Sequence, residues 1–218
     1  MEQYIHLLIA RPDDFAPSRS SITSFCQKLV DNCVVPNINR LSVSAPSGKA
    51  RTVKNPFTGE MVSFPMYAHQ RLDNLAKFEA ASHGLANYCL HLEGEGRPET
   101  PPVPVAFADP YSVVVRCHVT AVPHSTSAPA DDELSQQLIQ YDRPCDEPAP
   151  LGYFTDPTSN KTIEVPDAGR AQFWIEFELG KWLFPETIEG NLELLNPAIV
   201  RWAESEFGVP FAQGCHYF

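Results

Sequence analysis

Across Gln172–Leu179, Phe173, Ile175, Phe177 and Leu179 alternate with Trp174, Glu176 and Glu178. Successive side chains of an extended chain point to opposite faces, so this segment has one apolar face and one aromatic and acidic face. Strands of a parallel sheet are covered on both sides and read as unbroken apolar runs, whereas a strand with one wet face belongs to an antiparallel sheet. The segment therefore constrains its surroundings to an antiparallel sheet with the main core on one side.

Other segments fit around that strand. Tyr4 to Ala10 reads as a first strand closed by Arg11-Pro12. Ile22, Phe25, Cys26, Leu29, Val30 and Cys33 fall at helical spacing, which predicts a helix from about Ser18 to Asn32 with Ser18 near the cap. Leu41–Ala45 and Met61–Phe64 are short extended runs, separated by a loop rich in Pro, Ser, Gly and basic residues. Leu72, Leu75, Ala76, Leu85, Ala86, Tyr88 and Cys89 suggest a second helix over 68–92, weakened at Gly84 and ended by Gly94 and Gly96. Ser112–Val122 is strand-like, and Asp131-Asp132 can cap a short helix carrying Leu134, Leu138 and Ile139. Near the end, Asn196 as cap, Pro197 as first residue and Gly208 as terminator frame a helix that turns Ile199, Trp202, Ala203 and Phe207 inward. Val209–Phe218 then reads as terminal strand around Gly214. Together these elements predict an α+β fold, largely antiparallel sheet with about four to five helices.

Two echoes raise the option of pseudo-repeated lobes. Asn55-Pro56-Phe57-Thr58-Gly59 with 61–65 resembles Asp156-Pro157-Thr158-Ser159-Asn160 with 162–166, each being a polar turn, a strand and a proline. Val103-Pro104-Val105-Ala106 likewise resembles Val209-Pro210-Phe211-Ala212. Residues 93–150 hold ten of the 21 prolines, so 93–104 is the natural boundary. The expected organisation is an N-terminal lobe 1–100 and a C-terminal lobe 101–218, or one domain over 1–218.

Charge narrows the partners. The formal net charge is −11. Residues 1–77 carry nine Lys or Arg against six Asp or Glu, and 78–218 carry seven against twenty-one. An excess of this sign disfavours nucleic acid and anionic membrane, and suits a basic protein partner. With a short N-terminal apolar run, no basic residue before it and no long apolar stretch, the expected compartment is the cytoplasm. The six cysteines are scattered without a CxxC pair, so reduced thiols are expected there.

No chemistry-bearing motif is present: no G-x-S-x-G, no H-E-x-x-H, no Walker A loop and no G-x-G-x-x-G. Cys117-His118 and Cys215-His216 are adjacent pairs, which strands send to opposite faces; a bridge between distant members such as Cys215 and His118 is the remaining possibility. Glu79 and His83 stand four apart on the expected second helix, a spacing more typical of a solvated face than of metal ligands. Cys145 lies among acids that disfavour its thiolate. The sequence assigns no catalytic residue, and no metal or cofactor is expected. The candidate binding residues are the basic run Arg40, Lys49, Arg51 and Lys54, and the aromatic and acidic group Trp174, Glu176, Glu178 and Trp182. The expected function is a non-enzymatic protein-interaction module of inhibitor, immunity or accessory type. The alternative is an enzyme or small-molecule binder with its site in a cleft between two lobes.

Overall fold

The computed structural model describes residues 4–32, 34–35, 37–96, 111–127, 153–155, 162–164, 168–179, 195 and 197–217. Its strands are β1 (Tyr4–Ala10), β2 (Ile38–Lys54), β3 (Met61–Arg71), β4 (Tyr88–Gly96), β5 (Tyr111–Ser127), β6 (Tyr153–Thr155), β7 (Thr162–Glu164), β8 (Ala168–Leu179) and β9 (Phe211–Tyr217). The helices are α1 (Arg19–Asp31), α2 (Phe78–Ala81) and α3 (Pro197–Phe207), with a 3₁₀ turn at Leu75–Lys77. Seven strands make one sheet in the order β3-β2-β4-β5-β8-β1-β9, with every neighbouring pair antiparallel. β6 and β7 form a separate two-stranded piece.

The alternation in β8 does what its pattern predicts. Phe173, Ile175 and Phe177 are fully buried and join Leu8, Leu90, Leu92, Val115 and Cys117 beneath the helices. Each such side chain contributes about 1.5–3 kcal/mol by leaving water. The Phe207 ring of α3 sits 4.8 Å from the Phe173 ring and 5.4 Å from the Phe25 ring of α1, locking both helices onto β8. Ser18 caps α1 by accepting the Ser21 amide at 3.0 Å, and Gly208 ends α3 at φ 70°.

The expected α+β fold with about four to five helices is corrected by this architecture. The described residues form a sheet-dominated fold with three short helices. The main difference lies over 68–92, where a single helix was expected. β3 runs on to Arg71, the chain turns through the 3₁₀ segment and α2, and β4 begins at Tyr88. Leu72, Leu75 and Phe78 still reach the core, but from a turn held by the Asn74 side chain, which accepts the Lys77 amide at 3.2 Å. Gly84, at φ 75°, breaks the helical path before Leu85. The expected helix after Asp131-Asp132, the boundary loop beyond Gly96 and most of the second hairpin at 156–166 lie outside the described residues. β1 pairs with β8 on one side and β9 on the other, so segments from both sides of position 100 share the sheet.

Candidate functional site

The face of the sheet turned away from the helices is ordered in rows by the register. One row runs His69, Ser44, Cys89, His118, Trp174, Ile9 and Ala212 across β3, β2, β4, β5, β8, β1 and β9. The next runs Arg71, Ser42, His91, Arg116, Glu176 and Leu7. Directly opposed side chains in an antiparallel pair lie about 4.5–5.5 Å apart, so the rows bring strand-distant residues into contact.

The best-connected member is His118. Its ring stacks on Trp174 with centroids 4.8 Å apart and planes 6° from parallel. Its Nε2 lies 3.1 Å from Glu176 Oε1 and 3.8 Å from Cys89 Sγ. Burial by itself depresses an imidazole's pKa, but the contacts with Cys89 and Glu176 outweigh it and raise this one to about 9. His118 is therefore an imidazolium at neutral pH. Burial pushes the Glu176 carboxyl up, yet the bonds from His118 and Trp174 and the charge of Arg116 bring it below its ordinary value. Arg116 reaches both acids, 2.6 Å from Glu178 Oε2 and 3.6 Å from Glu176 Oε2. His91, in the neighbouring row, behaves oppositely: burial lowers its pKa more than Glu93, 3.4 Å away, restores it. One face thus holds a charged histidine beside a neutral one.

Beside His118 is a half-open cavity of about 330 Å³, lined in part by Ser44, Tyr67, Cys89, Thr120 and Trp174. Cys89 is partly exposed there, whereas Cys26 and Cys117 are buried with their sulfurs 4.0 Å apart. Among the described residues no group of three His, Cys, Asp or Glu side chains converges as a metal site. Glu79 and His83 are both exposed.

The second feature is the far end of the β2–β3 hairpin. Beyond Pro46 and Tyr67 the ribbon leaves the sheet: β2 carries two extra residues between Pro46 and Ala50, with Gly48 at φ 72° inside the bulge. Ser47 closes the bulge by donating to the Met66 carbonyl at 2.8 Å. The tip is an Asn55 turn, its side chain accepting the Phe57 amide at 2.9 Å, with Gly59 at φ 75°. Phe57 is 94% exposed, Met61 about two thirds, and Phe64, Met66 and Tyr67 each about half. Lys49, Arg51 and Lys54 are interleaved with them, and Arg51 stands opposite Phe64.

The expected site residues thus fall into two places. Lys49, Arg51 and Lys54 ride on the arm, while Arg40 lies at its root, 4.0 Å from Glu93. Trp174, Glu176 and Glu178 lie on the face opposite the described helices and are half-buried there. Trp182 lies outside the described residues, as does Cys145. Cys117 and His118 do point to opposite faces, and β5, carrying His118, is separated from β9, carrying Cys215, by β8 and β1. Cys89 was missed because 68–92 read as helix. Its signal was the alternation of Tyr88, Leu90 and Leu92 with Cys89, His91 and Glu93, matched by Val115, Cys117 and Val119 against Arg116 and His118. No helix among the described residues is long and apolar enough to cross a membrane. No protein-family model, curated protein or solved structure matches the chain.

Proposed function

We propose that this chain is a protein-interaction module that holds an acidic, extended segment of its partner along the outer edge of β3. The observation that carries this reading is the arm, a two-stranded ribbon projecting past the sheet with Phe57, Met61, Phe64, Met66 and Tyr67 exposed on it. Isolated two-stranded ribbons are marginal in water, and exposed apolar side chains gain from being covered. β3 is the terminal strand of the sheet, and among the described residues its outer edge pairs with none. Such an edge accepts an added strand, with main-chain hydrogen bonds supplying affinity and alternate side chains supplying specificity. Pro65 lacks an amide hydrogen, so the added strand lies along Met61–Phe64, opposite Arg51 and Lys54.

Charge selects the occupant. From Arg40 to Arg71 there are five Lys or Arg and one acid, Glu60. Of the acids on the face opposite the described helices, Glu176 and Glu178 pair with Arg116, and Glu93 lies 4.0 Å from Arg40. A basic partner therefore gains little there, and the arm favours an acidic one. Selection from a displayed peptide library tests this. The wild-type chain enriches peptides in which acids alternate with apolar residues, and the R51E/K54E double variant reverses the preference toward basic peptides. Absence of enrichment, or enrichment that ignores the charge reversal, overturns the reading.

A further inference from the structure

Cys89, His118 and the cavity beside them form a cluster that the docking arm does not use. We propose that Cys89 is a nucleophilic thiol that exchanges with small disulfides entering this cavity, with His118 donating the proton to the departing sulfur.

Three observations favour this chemistry. First, Cys89 is partly exposed on the cavity wall, while Cys26 and Cys117 are buried in the core. Hydrogen bonding to Cys26, reinforced by burial, pushes the Cys117 thiol well above its ordinary pKa, which leaves it inert. Second, His118 Nε2 faces both Cys89 Sγ, at 3.8 Å, and Glu176 Oε1, at 3.1 Å. In a relay of thiol, imidazole base and carboxylate, the nucleophile and the acid sit on opposite ring nitrogens and the base starts neutral. Here both neighbours share one nitrogen, and the ring is held in its charged form. It is placed to give up a proton, and not to accept one.

Third, attack on sulfur asks less of these surroundings than attack on a carbonyl. Acyl transfer requires donors aimed at a developing oxyanion. Cys89 is paired on both sides, with Ser44 and His118, and the nearby Asn87 Oδ1 accepts from the Ala121 amide at 2.6 Å. Exchange at a disulfide builds no oxyanion; the charge leaves on sulfur. As a thiol, Cys89 donates to the Leu90 carbonyl at 3.7 Å. After losing that proton to water, the thiolate attacks one sulfur of R–S–S–R. The Cys89–S bond forms as the S–S bond breaks, so Cys89 is oxidised to a mixed disulfide and the departing sulfur is reduced. The departing thiolate takes the Nε2 proton of His118, which water replaces. Pro46, Tyr67 and Trp174 line the cavity and receive the organic substituent.

The test uses 2-hydroxyethyl disulfide, whose alkyl thiolate leaves poorly unless protonated, and follows adducts on the full chain by intact mass and peptide mapping. At neutral pH the Cys89 adduct forms at least about tenfold faster in the folded chain than at the same cysteine in urea. H118Q slows it about tenfold or more, yet has a far smaller effect with an aromatic disulfide whose thiolate leaves unaided. Folding of the variant is checked by circular dichroism. Folded-state labelling of Cys89 no faster than in urea overturns the proposal without recourse to any variant, and an equal effect of H118Q on both disulfides overturns the role of His118.

Discussion

His118 is gripped by Trp174, Glu176 and Cys89, and its charge contributes to folding as well as to chemistry. Its pKa rises from 6.5 to about 9 in the folded chain, so the fold binds the imidazolium more tightly than the unfolded chain does. The contribution, about 3 kcal/mol, is fully present below pH 6.5 and is lost as pH rises through 9. Glu176 has the opposite sign: its lowered pKa stabilises the fold above 4.5, and that contribution is lost as pH falls. The groups facing the His118 ring are Glu176 and Trp174 from β8 and Cys89 from β4, with Arg116 on its own strand bound to both acids. Replacing His118 with Gln should therefore flatten stability between pH 6.5 and 9, as read from urea midpoints at each pH. An unchanged slope over that range would mean that the ring is not held charged.

Gly94 shows how a strand accommodates the chain that crosses it. A Cβ at this position would lie 2.5 Å from Val35 Cγ1 and 3.0 Å from the Asn37 carbonyl oxygen, because the segment leading into β2 packs directly over β4. G94A is expected to cost about 1–3 kcal/mol of stability, measured as a lower denaturation midpoint, since main chain must move to admit the methyl group. In the sequence, Gly94 reads as the end of a helix. Its actual role is visible only once β4 is known to be a strand. The contrast with β8 is instructive. There the side chains alternate over the full segment with no competing period, and the buried face follows from sequence. Over 68–92, Leu72, Leu75, Tyr88 and Cys89 satisfy a helical spacing by coincidence across a turn, a 3₁₀ segment and a strand. Local pattern could not separate them, because what divides them is the left-handed Gly84 and the Asn74 cap. The basic run was legible as a charge pattern, and its place on a projecting ribbon was not. Nor was the pairing of Cys89 with His118, since it joins β4 to β5 across 29 positions.

As a whole, the described residues form one sheet with two distinct faces and a projecting ribbon at one edge. The helices bury one face around Phe173, Phe177 and Phe207, the other face holds the His118 cluster, and β2–β3 extends beyond both. The pairs from Ser42–Arg71 to Pro46–Tyr67 anchor the ribbon, while almost all of residues 47–66 is exposed and contributes little to the core. The arm is thus expected to be dispensable for folding and required for partner recognition. The most direct measurement joins Pro46 to Tyr67 through a tight Asn-Gly turn and determines stability and affinity for a selected acidic peptide on the same protein. Unfolding free energy should stay within about 1 kcal/mol of the intact chain while peptide binding is lost. Retained binding by the folded, armless chain, or its collapse on loss of the arm, would contradict the assignment of the β2–β3 ribbon as the docking element.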